Sequence, residues 1–374
     1  MSKEDGGYQK VANKKDLKER GMLKVEVLGK SILLSMVNGE VYAIDAVCSH
    51  EGGPLEDRIL DGFEVECPWH GSRFDVRTGE VRNPPADTPQ LAYEVKIDGD
   101  WILIKEKLQP EEQQLGVKKE LPLYELNLFQ KIKAEGTNIM SFKFSNQGKN
   151  SDSGKSSFNY TAGQYAYFDI GGVKNDPKGP NRHFTIASSP TENFIMISTR
   201  IRDTPYKKQL ASLEEGTVVK VKGPEGKFVL HDDCSKTAVF LSGGIGVTPF
   251  RSMIKNATDK RLPVKIALFD SNRNEQNILY KDEFDEWANI NQNLMIVHTI
   301  TGEERSSPPA SEWNGERGRI DKSMLAKYLT KEELDNSIYY TCGPPTMIDA
   351  MQTLLQKDLQ IPKDRILIEE FTGY

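Results

Sequence analysis

The sequence lacks long apolar segments, and hydrophobic residues make up only 37% of its 374 positions. No stretch approaches the roughly 18 apolar residues that a membrane-spanning helix requires, so we expect no membrane insertion. Residues Met1–Gly7 are polar and do not resemble the apolar core of a signal peptide. The four cysteines are too few for the disulfide framework of a small secreted protein. These absences predict a cytoplasmic protein.

The sequence also has no excess of positive charge. It contains 49 Lys and Arg against 55 Asp and Glu, which gives a formal net charge of −6. A general nucleic-acid-binding protein carries a basic surface, so we expect no nucleic-acid partner. At roughly 150 residues per domain, the length predicts two or three domains.

The hydrophobic pattern changes along the chain and predicts a multidomain protein. Residues 1–107 alternate in short runs, with a hairpin signal at Asn38-Gly39, and predict an all-β domain. A polar stretch at 108–120 predicts a linker. Residues 121–234 are again strand-like, with a polar loop expected between Ser145 and Asn159. From residue 235 to 374, strands alternate with helices, which predicts an α/β domain built on a parallel sheet.

Two short motifs place two cysteines and two histidines on neighbouring loops. Cys48-Ser49-His50 and Cys67-Pro68-Trp69-His70 are separated by sixteen residues. Glycine and proline flank both pairs and let the backbone bend around a metal centre. A Cys2His2 set suits zinc, and it also suits a [2Fe–2S] cluster held by two cysteines on one iron and two histidines on the other.

The segments beginning at Cys48 and Cys67 resemble the two cluster-binding boxes of Rieske proteins. The resemblance implies a Rieske [2Fe–2S] cluster with Cys48, His50, Cys67 and His70 as its ligands. Respiratory Rieske proteins carry an extra disulfide-forming cysteine in each box, and this sequence does not. In that family a Ser and a Tyr donate hydrogen bonds to the cluster sulfurs; here Ser72 matches the first, whereas Phe74 lacks the hydroxyl. We therefore predict a reduction potential in the lower part of the roughly −150 to +300 mV Rieske range.

The segment Arg182-His183-Phe184-Thr185 resembles the flavin-binding signature of the ferredoxin reductase superfamily. The resemblance implies a β-barrel in which Arg182 faces the flavin phosphate, Phe184 packs near the ring system and Thr185 approaches flavin N5. Lys207 and Lys208 fall where that family binds the pyrophosphate, and cations suit such a group. The usual aromatic residue is Tyr, so Phe184 offers one hydrogen bond fewer. FAD is favoured over FMN.

Three further segments resemble the nucleotide domain of the same superfamily. A glycine-rich turn between a strand and a helix suits a dinucleotide pyrophosphate, and it contains Gly243, Gly244, Gly246, Thr248 and Pro249. Cys342-Gly343-Pro344 resembles the box whose cysteine lies near the nicotinamide. At the carboxyl end, the resemblance implies an acid, Glu370, beside an aromatic cover for the flavin, Phe371 or alternatively Tyr374. Ser271 and Arg273 are expected near the adenosine ribose, where NADH and NADPH both remain possible.

The whole chain thus resembles a Rieske ferredoxin fused to a ferredoxin reductase-like flavoprotein. The resemblance implies an enzyme that passes electrons from NAD(P)H through FAD to the cluster and on to a protein acceptor, such as a terminal oxygenase. Thr185, Cys342, Glu370 and Phe371 are its expected catalytic residues. The alternatives are a diaphorase that reduces small oxidants directly and a non-enzymatic redox sensor.

Overall fold

The computed structural model describes most of the chain in two compact units. The described residues are 8–27, 29–50, 52–58, 60–69, 71–83, 86, 88–106, 121–150, 154–176, 180–302 and 313–370. Residue contacts divide the chain into Met1–Val117 and Lys118–Tyr374. The predicted linker at 108–120 lies outside the described residues.

The first unit consists of two antiparallel sheets. Their strands are β1 Gln9–Asn13, β2 Met22–Val27, β3 Lys30–Val37, β4 Glu40–Asp45, β5 Leu60–Asp61, β6 Glu64–Glu66, β7 Arg73–Asp75, β8 Val81–Asn83, β9 Ala92–Asp98 and β10 Trp101–Glu106. The larger sheet has the strand order β1-β10-β9-β4-β3-β2, and the smaller has the order β5-β6-β7-β8. The predicted hairpin is present: Asn38 and Gly39 both have positive φ and join β3 to β4, as a type I′ turn requires. One short helix, α1 (Lys14–Arg20), was not expected in this all-β domain, and Asn13 caps it.

The second unit begins with an antiparallel barrel. Its strands are β11 Leu123–Lys133, β12 Ile139–Ser145, β13 Gln147–Asn150, β14 Gly154–Ser157, β15 Tyr165–Asp169, β16 Asn181–Thr185, β17 Phe194–Arg200 and β18 Val218–Glu225, with helix α2 at Pro205–Ser212. The ladders run β12-β11-β18-β15-β16, and β17 pairs with β12 and contacts β16, which closes the ring. Buried residues alternate along β11 and fill the interior. The segment expected as a loop after Ser145 instead forms the hairpin β13–β14, because its polar residues pair through the backbone.

The chain ends in an α/β domain with a parallel sheet of order β22-β21-β20-β19-β23-β24. Its elements are β19 Ala238–Gly243, α3 Thr248–Asp259, β20 Ile266–Asn272, α4 Lys281–Ile290, β21 Leu294–Ile300, β22 Glu316–Arg317, α5 Lys322–Tyr328, α6 Lys331–Asn336, β23 Ile338–Gly343, α7 Pro345–Thr353 and β24 Ile366–Glu370. Apolar clusters cover both faces of the sheet, as its continuous apolar strands require. The order of a β unit, a barrel and an α/β domain confirms the predicted fold class. Among the helices described, none has the length and apolar character needed to cross a bilayer.

Candidate functional site

The two cysteine loops of the first unit share one backbone geometry. Cys48 N–H donates to the carbonyl of Gly53 at 2.8 Å, and Gly52 N–H donates back to the carbonyl of Cys48 at 2.9 Å. The second loop repeats both bonds at the same spacing: Cys67 N–H donates to Ser72 O at 2.7 Å, and Gly71 N–H to Cys67 O at 3.1 Å. Gly52 and Gly71 both have positive φ, a conformation that glycine adopts readily. Each loop therefore curls around its cysteine in the same way.

The donor set and the packing of these loops fit a cluster. The thiol-bearing residues Cys48 and Cys67 are 3% and 0% exposed, within one hydrophobic cluster. A Cβ at Gly53 would lie 2.6 Å from Cys67 Sγ, so only glycine leaves room beside this sulfur. Buried Ser72 accepts a bond from Ala86 N–H, which leaves its own hydroxyl proton to donate. His50 lies on the first loop; His70, the fourth predicted ligand, lies outside the described residues.

A buried carboxylate anchors the hairpin that follows the second cysteine loop. Asp75 ends β7, is 1% exposed, and accepts hydrogen bonds from the guanidinium groups of Arg77 and Arg82. These bonds, Arg77 foremost, hold the pKa of the Asp75 carboxyl far below its usual range. These bonds to Arg77 and Arg82 hold β7 in place, and β7 carries Phe74, whose ring is fully buried.

In the second unit, two of the residues predicted to bind the flavin phosphates, Arg182 and Lys207, form a buried cationic cluster. Arg182 is 7% exposed and pairs with Asp176, whose other oxygen accepts a bond from Tyr206 N–H at the start of α2. Lys207, from the first turn of α2, is 2% exposed; its Nζ donates to Thr199 and lies 4.4 Å from the centroid of the Phe184 ring.

Positive charge exceeds negative charge around Lys207, because Asp176 is already paired with Arg182. Burial, followed by the like charges of Arg182 and Arg202, lowers the pKa of Lys207 to about 7. A bound diphosphate would supply the missing negative charge, so the residues present fit the group that the sequence predicts. Lys208 differs from its neighbour, because it is exposed and pairs with Asp203.

A second group of predicted residues meets where the barrel joins the parallel sheet. Cys342 on β23 stands opposite Glu369 on β24 in the strand register, and Thr185 at the end of β16 lies next to the Glu369 carboxyl. Burial raises the pKa of Glu369 to about 8. Burial, and then the charge of Glu369, raises the pKa of the Cys342 thiol. All three groups are therefore neutral at neutral pH.

Two of these polar atoms fit a polar ligand. The side chains of Thr185 and Glu369 interact with each other, yet Thr185 Oγ1 and Glu369 Oε2, both enclosed, make no further hydrogen bond among the described residues. Buried polar atoms with unused bonding capacity are rare in native proteins, and a ligand can complete it. Thr185 is the residue predicted to approach the flavin, so the site fits the polar edge of a flavin ring.

The acid at this site is Glu369, one residue before the predicted Glu370. The side chain of Glu370, the last residue of β24, is not among those described, and Phe371 and Tyr374 lie outside the described residues. A single sequence does not reveal the register between β23 and β24, and a shift of one residue exchanges the two faces of a strand. The register places Glu369 opposite Cys342, and the role of Glu370 stays a prediction.

The glycine-rich turn follows β19, at the carboxyl edge of the sheet. Cβ atoms at Gly243 and Gly246 would lie 2.3 Å from Met347 Sδ and from the Cys342 carbonyl oxygen, respectively. These two glycines therefore let the turn pack against the Cys342-Gly343-Pro344 segment. Gly244, in contrast, has open space and a φ of +57°, with an Arg200 guanidinium nitrogen as its nearest neighbour.

Helix α3 starts directly after the glycine-rich turn. Thr248, its first residue, is buried, and its hydroxyl donates to the carbonyl of Ile245. Pro249 occupies the second position, where the missing N–H costs no helical hydrogen bond. The turn and the first residues of α3 thus form the strand–turn–helix geometry that the sequence predicts.

A polar network lies behind the predicted ribose-binding residues. Asp270 is fully buried and accepts bonds from Ser242 Oγ at 2.6 Å and Asn272 Nδ2 at 2.8 Å, with His298 Nδ1 at 3.3 Å. Its carboxylate is thus engaged inside the protein. Ser271 is half-buried and Arg273 is exposed at the end of β20, which leaves Arg273 accessible to a ligand.

Comparison with known proteins identifies both modules. Residues 7–98 match the family model of the Rieske [2Fe-2S] domain, and residues 240–353 match the oxidoreductase NAD-binding domain. One component of the Na(+)-translocating NADH-quinone reductase of Haemophilus influenzae is 31% identical over 208 residues, which cover 51% of this chain and 48% of that protein. The chain spans about half the length of the curated relatives it matches.

Solved structures share the fold of about two thirds of this chain at low sequence identity. The ferredoxin reductase in carbazole 1,9a-dioxygenase has a TM-score of 0.55 and 18% identity, covering 72% of this chain and 74% of its own. A ferredoxin NADP+ reductase from Neisseria gonorrhoeae with bound FAD and NADP has a TM-score of 0.51 and 19% identity, covering 66% and 98%. The family models confirm the predicted Rieske [2Fe-2S] domain and NAD-binding domain, and the solved structures confirm the fold predicted for the flavoprotein part.

Proposed function

We propose that this chain, in which a Rieske domain is joined to a ferredoxin reductase-like unit, passes electrons from NADH or NADPH through FAD to a [2Fe–2S] cluster and on to a protein acceptor. The observation that carries the proposal is the neutral, enclosed group of Thr185, Glu369 and Cys342. The same unit contains the buried cationic residues Arg182 and Lys207 and the glycine-rich turn that packs against Cys342, and the chain also holds the two cysteine loops.

The chemistry belongs to the cofactors, and the protein positions them. A flavin held beside Thr185 and Glu369 would supply the conversion between two-electron and one-electron transfer that links a nicotinamide to a one-electron cluster. Around it, Thr185 offers a hydroxyl and Glu369 holds a proton at neutral pH, because its pKa is about 8. Cys342 is 0% exposed and stands opposite Glu369 in the sheet, where its uncharged thiol adds no charge to the site.

The acceptor that we propose is a protein, such as a terminal oxygenase. The cluster loops carry apolar side chains at the surface: Trp69 is 52% exposed and Val47 is 45% exposed, and both approach the Gly52-Gly53 turn. Exposed apolar residues beside a redox centre suit a transient protein contact.

Direct reduction of small oxidants is the second candidate. Quinones are the class to test first, because the relatives are named as components of an NADH-quinone reductase.

The test compares electron delivery with and without the cluster. Cys67→Ser removes a ligand, and Cys234→Ser is a matched control because Cys234 is exposed. With NADH as donor, we expect Cys67→Ser to keep its flavin and its reduction of a soluble quinone but to lose most reduction of a protein acceptor such as cytochrome c. The Cys234→Ser variant is expected to match the natural protein. Equal cytochrome c reduction by all three proteins would contradict a path through the cluster.

A further inference from the structure

Arg251 is the most completely bonded side chain at the junction between the barrel and the nucleotide domain. It lies on α3, three residues after Thr248, and is 1% exposed. All five of its N–H donors are used: two bonds reach Glu283, two reach Glu192 and one reaches the carbonyl of Ala187, at 2.6 to 3.1 Å. The rings of Tyr280 and Trp287 lie just over 5 Å from its guanidinium carbon.

These bonds join two different parts of the second unit. Glu283 belongs to α4, within the nucleotide domain, whereas Ala187 and Glu192 belong to the barrel segment between β16 and β17. Ala187 is two residues beyond Thr185. The short path from Thr185 through Arg251 to Thr248 therefore connects the flavin side of the site directly to the start of the nucleotide-binding helix.

Several neutral contacts follow the same junction. Ser252 Oγ donates to the carbonyl of Ser188 at 2.5 Å, and Tyr280 OH donates to Ser198 Oγ at 2.5 Å. Glu192 also accepts a bond from Ser189 N–H, which fixes its carboxylate. A bidentate guanidinium–carboxylate pair specifies direction as well as distance. The other contacts are single hydrogen bonds, whereas Arg251 forms two bonds to a carboxylate of each domain, Glu283 and Glu192. Arg251 therefore constrains the angle between the domains more tightly than the other contacts.

We propose that Arg251 is a positioning residue that sets how closely the nicotinamide approaches the flavin. The inference rests on the proposed function. Hydride transfer requires the reacting atoms to be held near attack distance, and a misplacement of about 1 Å can slow such a reaction about 100-fold. The loss of Arg251 leaves both cofactor sites intact but removes the contact that holds them in register.

The test measures flavin reduction in the full chain by stopped flow. We expect Arg251→Lys, which cannot form two bidentate pairs, to lower the limiting rate of flavin reduction by NADH about 10- to 100-fold. The FAD content and the KM for NADH are expected to stay within about twofold, and a deuterium isotope effect with 4-deuterated NADH is expected to increase.

Two further variants separate positioning from folding. Glu192→Gln weakens only the barrel side of the junction and should reproduce the slow rate with less risk to stability. Lys281→Met breaks an exposed ion pair with Asp285 on α4 and serves as the matched control, with an unchanged rate expected. Limiting rates of flavin reduction equal to that of the natural protein in both Arg251→Lys and Glu192→Gln would overturn the inference. A slower flavin reduction explained entirely by lower FAD content or by a higher KM would overturn it too. Absence of flavin reduction by either nucleotide in the natural protein would overturn the proposed function instead.

Discussion

Replacing Glu369 with glutamine tests the electrostatics of the candidate site. Burial raises the pKa of Glu369 from 4.5 to about 8. Between these values the folded protein holds a proton that the unfolded chain releases, so stability falls as the pH rises through this range. Each pKa unit is worth about 1.4 kcal/mol, and the full shift corresponds to at most about 5 kcal/mol. Glutamine has the same shape and no charge, so Glu369→Gln should remove this loss.

The assay is urea unfolding of the full chain at several pH values from 5 to 9. We expect the natural protein and Glu369→Gln to have similar free energies of unfolding near pH 5. The variant should then become progressively more stable, by up to about 1.4 kcal/mol per pH unit, until about pH 8. Infrared spectroscopy supplies a second readout, because a protonated carboxyl signal at pH 7 should disappear in the variant. Glu286→Gln, at an exposed position of α4, is the matched control. Parallel stability curves, or an unchanged infrared signal, would refute the reasoning.

Three further predictions concern the three cofactor sites. Lys207→Met should weaken FAD binding about tenfold, because it removes a buried cation, whereas Lys208→Met should have a smaller effect. Titration of the FAD-free protein with FAD measures both affinities, and equal effects would contradict phosphate binding by Lys207. Gly246→Ala should destabilise the protein by about 2 kcal/mol or more and raise the KM for NADH, because its Cβ would meet the Cys342 carbonyl. Gly244→Ala should cost only about 1 kcal/mol of stability. Thermal unfolding and NADH kinetics compare the two variants, and a larger loss of stability in Gly244→Ala would be inconsistent with this packing. Phe74→Tyr should raise the cluster potential and Ser72→Ala should lower it, because each changes a hydroxyl expected near the cluster sulfurs; redox titration measures both, and unchanged potentials would argue against this placement.

Much of the fold could be predicted from local patterns. The Asn38-Gly39 turn, the alternating strands and the change to a strand–helix rhythm after residue 235 are all properties of short segments, and the structure confirms them. Helix α1 was missed because it has only seven residues and one fully buried apolar side chain, Leu17, which gives too weak a periodic signal. The hairpin β13–β14 was missed because its polar residues lack the apolar alternation of a strand.

The site was harder to predict, because its geometry depends on contacts between distant segments. Glu369 acquires its raised pKa from burial, and Lys207 its lowered pKa from burial beside Arg182. Gly243 and Gly246 were predicted from a pyrophosphate-binding pattern, and the structure adds a packing reason that the sequence does not show: a Cβ at Gly246 would meet the Cys342 carbonyl oxygen, and one at Gly243 would meet the Met347 side chain. Arg251 gave no sequence signal, since an arginine on an amphipathic helix is usually a surface residue.

The most direct test of the central claim is an anaerobic titration of the purified full chain with NADH and then with NADPH. Absorbance follows the flavin, and electron paramagnetic resonance follows the cluster. We predict that the flavin bleaches and that a Rieske-type signal of low average g appears, with the better nucleotide acting at lower concentration. A flavin that is reduced while the cluster remains silent would contradict the proposed path from nicotinamide to cluster.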